Sequence, residues 1–151
     1  MPSLKEQLAE DLKEAIRQRD EARKTAIRML TWAIKNAEVE KGRPLEDHEI
    51  LSLVQKEMRR RLESIEQFRK GNRPDLVEKE EAELKVLQAY LPPPMTREEV
   101  AAVARQVMAE VGARGPRDKG KVMPILIQRL AGRAEGRLIN EVVDELLAGQ
   151  G

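Results

Sequence analysis

Apolar residues recur every three or four positions along most of residues 4–91, which is the period of an amphipathic α-helix. Turn and capping residues divide this pattern into four stretches. The first follows Ser3, with Glu6 three positions later, which is the pattern of a capping box. The pattern predicts four helices, which begin after Ser3, after Asp20, near Asp47 and near Pro74, and Gly42 is predicted to end the second in a left-handed conformation.

The third stretch is the longest, and its apolar positions define the face that we expect to be buried. They are Ile50, Leu51, Val54, Met58, Leu62, Ile65 and Phe68. The basic run of Lys56 and residues 59–61 alternates with glutamates, and acid–base pairs at this spacing are typical of an exposed helix. The acidic residues 75–84, early in the fourth helix, are likewise predicted to form a solvated face.

Three consecutive prolines at residues 92–94 end the first part of the pattern. Such a run cannot continue a helix, and it favours extended backbone. We therefore predict an N-terminal helical domain of residues 1–91, a proline-rich linker of residues 92–95 and a C-terminal domain of residues 96–151.

Helical period returns after the linker. Thr96 and Glu99 form another capping box before a fifth helix, and a sixth helix of about residues 116–131 and a seventh of about residues 135–148 follow. No stretch alternates between apolar and polar residues as a strand would. The predicted fold class is all-α, with an N-terminal bundle of about four helices followed by a small three-helix C-terminal domain.

The stretch GPRDKGKV, residues 115–122, nearly matches a phosphate-binding loop. Such a loop ends in a Ser or Thr that holds magnesium, and it follows a β-strand. Here Val122 takes that position and an amphipathic helix precedes, so we exclude a nucleotide site. Gly120 is interpreted instead as a point in the sixth helix where another helix approaches. Pro124 lies inside the same helix at a cost of ~3 kcal/mol, which predicts either a kink or two short pieces.

Composition restricts the chemistry further. The chain has no cysteine, which excludes disulfides, thiolate metal sites and cysteine nucleophiles. Its one histidine, His48, stands near a helix start, and no serine has an evident general base, so we predict no catalytic residue, no metal site and no cofactor. Trp32 is interpreted as a core or interdomain residue. There is no signal peptide and no apolar run of ~20 residues, so we expect a soluble, cytoplasmic protein without a membrane partner.

Positive charge is concentrated in one segment. The whole chain is balanced, with 28 Lys and Arg against 27 Asp and Glu, but residues 114–137 hold seven basic and two acidic residues. A glycine-containing turn and a helix start lie in this segment, and both suit phosphate groups. The alternative is a set of solubilising charges around a helix hairpin. The predicted nucleic-acid-binding residues are Lys119, Lys121, Arg133 and Arg137, with Gly132 and Gly136 permitting close approach.

A composite pattern marks the C-terminal half: Gly120-Lys121-Val122-Met123, then Gly132-Arg133-Ala134-x-Gly136, then Asn140 and Leu147. With the segments IRMLTWAIKNAEVEKGRPLEDHEIL and RPDLVEKEEAELKVLQAYLP, it resembles the GatB/YqeY family over nearly the whole chain, most closely the small stand-alone YqeY-like proteins. The last part is also similar to the C-terminal tail of the B subunit of the glutamine-dependent tRNA amidotransferase. Pro124 stands where we expect glycine in relatives.

This resemblance implies two helical domains and a link to tRNA, because the amidotransferase tail helps to hold tRNA. It also implies a family-level description as a carbon–nitrogen ligase with glutamine as amido-N-donor, although no part of the catalytic machinery is recognisable here. We therefore expect a non-catalytic protein that binds tRNA or another structured RNA, or an amidotransferase or translation-related protein, through its C-terminal domain. The alternative is a helical adaptor between proteins. The sequence does not define the oligomeric state.

Overall fold

The computed structural model describes residues 2–150, which contain seven α-helices, one short 3-10 helix and no β-strand. The predicted all-α fold class is therefore confirmed. The chain divides into two compact units, Met1–Leu91 and Pro92–Gly151. The 3-10 helix is Pro116–Asp118, and the α-helices are α1 (Leu4–Arg17), α2 (Glu21–Lys41), α3 (Asp47–Lys70), α4 (Pro74–Gln88), α5 (Arg97–Val111), α6 (Lys119–Arg129) and α7 (Gly136–Gln150).

Local capping chemistry sets several helix ends where the sequence predicts them. Ser3 Oγ accepts a hydrogen bond from the N–H of Glu6 at 3.2 Å at the start of α1. Thr96 and Glu99 form the reciprocal capping box that starts α5. Gly42 ends α2 with φ at 71°, a left-handed conformation that favours glycine.

An aliphatic core holds α1–α4 together, with α4 packed along α2 and α3, and α1 packed on α2. Its buried members are Leu8, Ala26, Ile27, Leu30, Ile34, Leu45, Ile50, Val54 and Leu87. Tyr90 ties the end of this unit to α1, because its Oη donates a hydrogen bond to Asp11 Oδ2 at 2.5 Å. Burial and this hydrogen bond both raise the pKa of Tyr90, so the phenol remains a donor.

The buried face of α3 contains charged residues, contrary to the prediction. Leu62, predicted to be buried, is 53% exposed. Arg61 Nη1 instead reaches α4, where it donates to Glu80 at 3.1 Å and to Glu83 at 3.3 Å. The predicted exposed basic run and solvated acidic face are therefore wrong at Arg61 and Glu83. The buried positions of α3, spaced by three and four residues, are Ile50, Val54, Glu57, Arg61 and Ile65.

The second unit is a three-helix bundle in which α5, α6 and α7 pack pairwise on one another. The extended segment before α5 lies against the turn between α6 and α7, where the Met95 N–H donates to the carbonyl oxygen of Arg133 at 3.0 Å. The buried core is again aliphatic, and its larger members are Val100, Val107, Met108, Val122, Leu126, Leu130, Ile139, Val142, Val143 and Leu147.

The sixth helix differs from its prediction in three respects. Residues 116–118 form the 3-10 helix rather than the start of α6, and α6 ends at Arg129, before the turn. α6 continues across Pro124 without a break, so of the two predicted alternatives, a kink or two short pieces, the second is wrong. A Cβ atom at Gly120 would have no neighbour within 4 Å, so the interpretation of Gly120 as a point of close helix approach is also wrong.

Replacing Pro124 with alanine is expected to raise the melting temperature, with a gain of about 2 kcal/mol in the free energy of unfolding. Alanine restores the N–H that bonds to the carbonyl of Gly120 and removes the ring from that carbonyl. The gain is less than the full proline penalty because proline also restricts the unfolded chain, by ~0.4–1 kcal/mol. Thermal unfolding followed by circular dichroism measures the change.

The matched control is Pro94→Ala, because residue 94 lies outside any helix. This variant should gain nothing, since no helical hydrogen bond is restored. A clear fall in melting temperature for Pro124→Ala would mean that α6 does not run through this position.

Candidate functional site

The predicted cations Lys119 and Arg137 lie near carboxylates of α7. Lys119 Nζ is 2.8 Å from Asp144 Oδ1, and Arg137 Nε is 4.0 Å from Glu141 Oε1. Arg97 of α5 donates to Glu141 as well, at 3.3 Å. These cations therefore lie beside the carboxylates of α7 and do not form a continuous positive surface there.

Lys121 belongs to the start of α6. Its Nζ is 3.6 Å from Asp118 Oδ1, one turn earlier. Asp118 also accepts the backbone N–H of Arg114 at 2.8 Å. That hydrogen bond, with a smaller contribution from Lys121, holds the pKa of Asp118 below its ordinary value. Within GPRDKGKV, Asp118 thus closes the turn before α6 through a backbone hydrogen bond.

Arg133 contacts the backbone of the segment that precedes α5. Its Nε donates to the carbonyl oxygen of Pro93 at 3.3 Å, and its own carbonyl accepts the Met95 N–H at 3.0 Å. Both bonds join the extended segment before α5 to the turn between α6 and α7. Gly132 has φ at 80° in this turn, and a Cβ at Gly136 would meet nothing within 4 Å. Gly132 thus has the left-handed conformation that favours glycine, whereas Gly136 has room for a side chain.

The four predicted side chains therefore have four different partners, and the structure shows no contact among them within the described residues. Carboxylates from outside residues 114–137 compensate the local excess of positive charge. Glu110 of α5 accepts two hydrogen bonds from Arg129, at 3.2 and 2.7 Å, which lower the pKa of that carboxyl. Over residues 92–151 the sequence holds nine Lys and Arg against eight Asp and Glu.

The predicted set omits two exposed arginines of this segment. The side chains of Arg114 and Arg117 have no ion-pair partner within the described part of the chain, and both are exposed. They flank Gly115 and Pro116, immediately before the paired Lys119 and Lys121. The sequence contained this signal, because Arg114 and Arg117 belong to the same basic run. What it did not show is which of the basic residues would find a carboxylate.

A histidine–carboxylate cluster occurs at the start of α3, where one ligand atom each of Glu46, His48 and Glu49 lies within 4.8 Å of the others. Glu49 is already engaged, because it accepts hydrogen bonds from Arg43 at 2.8 Å and from Lys41 at 2.7 Å. These bonds hold the pKa of Glu49 far below its usual range. A metal cation here would face two positive side chains, so the cluster does not favour a metal.

The fold and these side chains define a small all-α protein with two helical units, each built around an aliphatic core. Residues 5–147 match the family described as Yqey-like protein. The match covers most of the chain, and the chain therefore belongs to the YqeY-like family. This confirms the family inferred from the sequence.

Relatives from several fungi bear the name "Altered inheritance of mitochondria protein 41, mitochondrial". The chain is 38% identical over 112 residues to the one from Lachancea thermotolerans, covering 72% of this chain and 60% of the relative. It is 31% identical over 146 residues to the one from Pyrenophora tritici-repentis, covering 95% of this chain and 80% of the relative. The chain thus spans about three fifths of the yeast relative's length.

These relatives are named as mitochondrial, so the cytoplasmic location of this chain stays a prediction. Among the described residues, no helix has both the length and the apolar character required to span a membrane.

Proposed function

We propose that this chain is a non-catalytic member of the YqeY-like family whose second unit binds structured RNA, with tRNA as the expected ligand. The observation that carries the proposal is the exposed basic segment Arg114–Lys121, in which Arg114 and Arg117 have no carboxylate partner within the described residues. The similarity of residues 118–147 to the tRNA-holding tail of the amidotransferase B subunit supports the choice of RNA.

The chemistry of this segment suits phosphate groups. A guanidinium group presents a planar set of donors that matches phosphate oxygens, and it stays charged at every physiological pH. Lys119 and Lys121 add two cations whose carboxylate partners are on the surface. Exposed ion pairs contribute little to stability, so an RNA phosphate can replace Asp144 or Asp118 at small cost.

The same pairs limit the affinity that we expect. The second unit is nearly neutral overall, so its long-range attraction for RNA is weak, and binding depends on a few close contacts. This favours recognition of backbone shape and phosphate positions over base sequence. The chain also has only three aromatic residues, and base stacking requires such rings.

Titration of tRNA over a range of salt concentrations tests the proposal. Each phosphate contact adds about −0.9 to the slope of log affinity against log salt, so three or four contacts give a slope near −3. The double variant Arg114→Gln and Arg117→Gln should reduce that slope by about two. Asp144→Asn should strengthen tRNA binding, because it releases Lys119 to contact a phosphate. If Lys119 had only a structural role, this substitution would leave the affinity for tRNA unchanged.

The matched control is Arg105→Gln, which removes an exposed arginine of α5 that lies outside the basic segment and has no ion-pair partner among the described residues. It should leave the slope unchanged. A flat salt dependence in the parent protein would contradict RNA binding altogether. An unchanged slope in the Arg114 and Arg117 variant would remove these two residues from the contact surface.

A further inference from the structure

The first unit has an open groove of about 580 Å³ between α2 and α3. The large apolar side chains exposed in it are Trp32, 68% exposed, and Met29, 44% exposed. Of the two sequence-based interpretations of Trp32, core or interdomain residue, the first is therefore wrong. The lining residues that the argument uses are Arg28, Met29, Trp32, Leu53, Lys56 and Arg60.

An exposed tryptophan such as Trp32 is more typical of a binding surface than of a helix face that contacts only solvent. Tryptophan carries the largest apolar area of any side chain, and it is enriched among the residues that contribute most to protein interfaces. Met29 beside it is held from below, because Arg61 Nη2 donates to its Sδ at 3.5 Å. Met29, which lines the groove, thus contacts Arg61, a member of the buried ion pair between α3 and α4.

The charged residues that line the groove lie at different distances from the loop that joins α2 and α3. α2 and α3 are joined by residues 42–46 and form an antiparallel helical hairpin. Arg28 and Arg60 are each 13 positions from the loop, or about 20 Å away, and Lys56 lies about 14 Å away, level with Trp32. Glu40 stands beside the loop. The lining cations therefore lie from the middle of the groove to its far end, where Glu57 stands between Lys56 and Arg60, and Glu40 lies at the loop end.

Two cations of the groove are available for a partner. Arg28 and Lys56 are exposed, and neither has an ion-pair partner within the described residues. Arg60 lies 3.1 Å from Glu57, and its positive charge compensates the Glu57 carboxylate. An incoming segment that brings its own carboxylates to Arg28 and Lys56 would complete the charge pattern, and its apolar side chains would cover Trp32 and Met29.

We propose that this groove docks an amphipathic helix of another protein, with its apolar face on Trp32 and Met29 and its acidic residues beside Arg28 and Lys56. Two neighbouring helices readily accept a third in the groove between them. Nucleic acid fits less well, because the carboxylates of Glu40 and Glu57 line the same groove. The proposal does not depend on RNA binding by the second unit, and either can fail alone.

The chain carries its own reporter, since Trp32 is its only tryptophan. Two synthetic helical peptides of about 16 residues, or about 24 Å, are long enough to span the groove. Both lack tryptophan and share Leu and Met at one helical face, but one has Glu and Asp at the remaining positions and the other has Lys. The acidic peptide should shift Trp32 emission to shorter wavelength and protect it from acrylamide, while the basic peptide should not.

A charge-reversed protein sharpens the test. With Arg28→Glu and Lys56→Glu, affinity for the acidic peptide should fall about tenfold or more, and the basic peptide should now bind. The matched control carries Lys35→Glu and Lys85→Glu, two exposed lysines that do not line this groove, and it should behave as the parent. The peptide comparison on the unmodified protein stands even if a variant does not fold.

Four results would overturn the proposal. Either no shift with the acidic peptide, or equal shifts with both peptides, would exclude selection for an acidic helix. A Trp32 shift that grows with protein concentration alone, together with dimers in sedimentation, would assign the groove to a second copy. An equal shift with tRNA would assign it to nucleic acid.

Discussion

Replacing Arg61 with methionine is expected to lower the free energy of unfolding by about 3–5 kcal/mol at pH 7, because a buried ion pair loses one partner. Arg61 is 5% exposed, and Glu83, which it contacts at 3.3 Å, is 1% exposed. Without the guanidinium, the Glu83 carboxylate has no compensating charge at that distance. Urea unfolding followed by circular dichroism measures the loss.

The pH dependence of this variant has a definite sign. Burial raises the pKa of Glu83 above its ordinary value, and the charge of Arg61 acts in the opposite direction. When Arg61 is removed, the pKa of Glu83 rises further, so the folded variant retains a proton that the unfolded chain releases. Stability is then greatest below the unfolded pKa, about 4.3, and falls as pH rises through the folded pKa. The deficit relative to the parent should therefore be smallest near pH 4.

Two further variants separate this effect from simple loss of packing. Arg69→Met removes an exposed arginine of α3 that pairs with Glu81 of α4 at 2.9 Å, and it should cost at most about 1 kcal/mol. Adding Glu83→Gln to Arg61→Met should recover part of the loss, because a neutral amide needs no compensating charge. A deficit that is the same from pH 4 to pH 8 would contradict the assignment to Glu83.

Replacing Leu126 with alanine is expected to remove most of the stability of the second unit. Leu126 is fully buried between α5, α6 and α7, and truncation of such a leucine costs about 3–5 kcal/mol. A single core in a unit of about 60 residues rarely supplies more than ~3–5 kcal/mol in total. Hydrogen exchange of the backbone amides of α5–α7 should accelerate by about 100-fold or more.

The neighbouring Ile127 provides the control, since it lies on the same helix but is 40% exposed. Ile127→Ala should accelerate exchange by less than about tenfold. Unchanged protection of α5–α7 in the Leu126 variant would mean that this side chain does not hold the three helices together.

Much of the architecture follows from local chemistry and was accessible from the sequence. Thr96 and Glu99 cap α5, Gly42 ends α2 in a left-handed conformation, and Pro74 stands in the first turn of α4. Each of these depends on residues only a few positions apart, so the pattern contains the whole interaction. The Gly120-to-Leu147 pattern, together with the two N-terminal segments, likewise indicated the family, which the match over residues 5–147 confirms.

The burial of Arg61 and Glu57 was harder to predict, because their polarity favours exposure whereas their positions on α3 favour burial. Arg61 and Glu57 lie at the correct spacing from Val54 and Ile65 to face inward, but their polarity predicts an exposed face. The partner that makes burial tolerable, Glu83, is 22 positions away on another helix. Trp32 is the opposite case, a large apolar residue that is interpreted from the sequence as a core or interdomain residue, is not in the core, and lines an open groove.

Most helix positions and ends, with α6 as the exception, and the aliphatic character of both cores thus follow from the sequence alone, since they arise from spacings of three or four residues. The tertiary structure decides which charges are available. Lys119 lies beside Asp144, Lys121 beside Asp118, and Arg129 beside Glu110, whereas Arg114, Arg117 and Arg28 are unpaired within the described residues. Ion pairing depends on distances between helices, and a linear count of charges does not contain those distances.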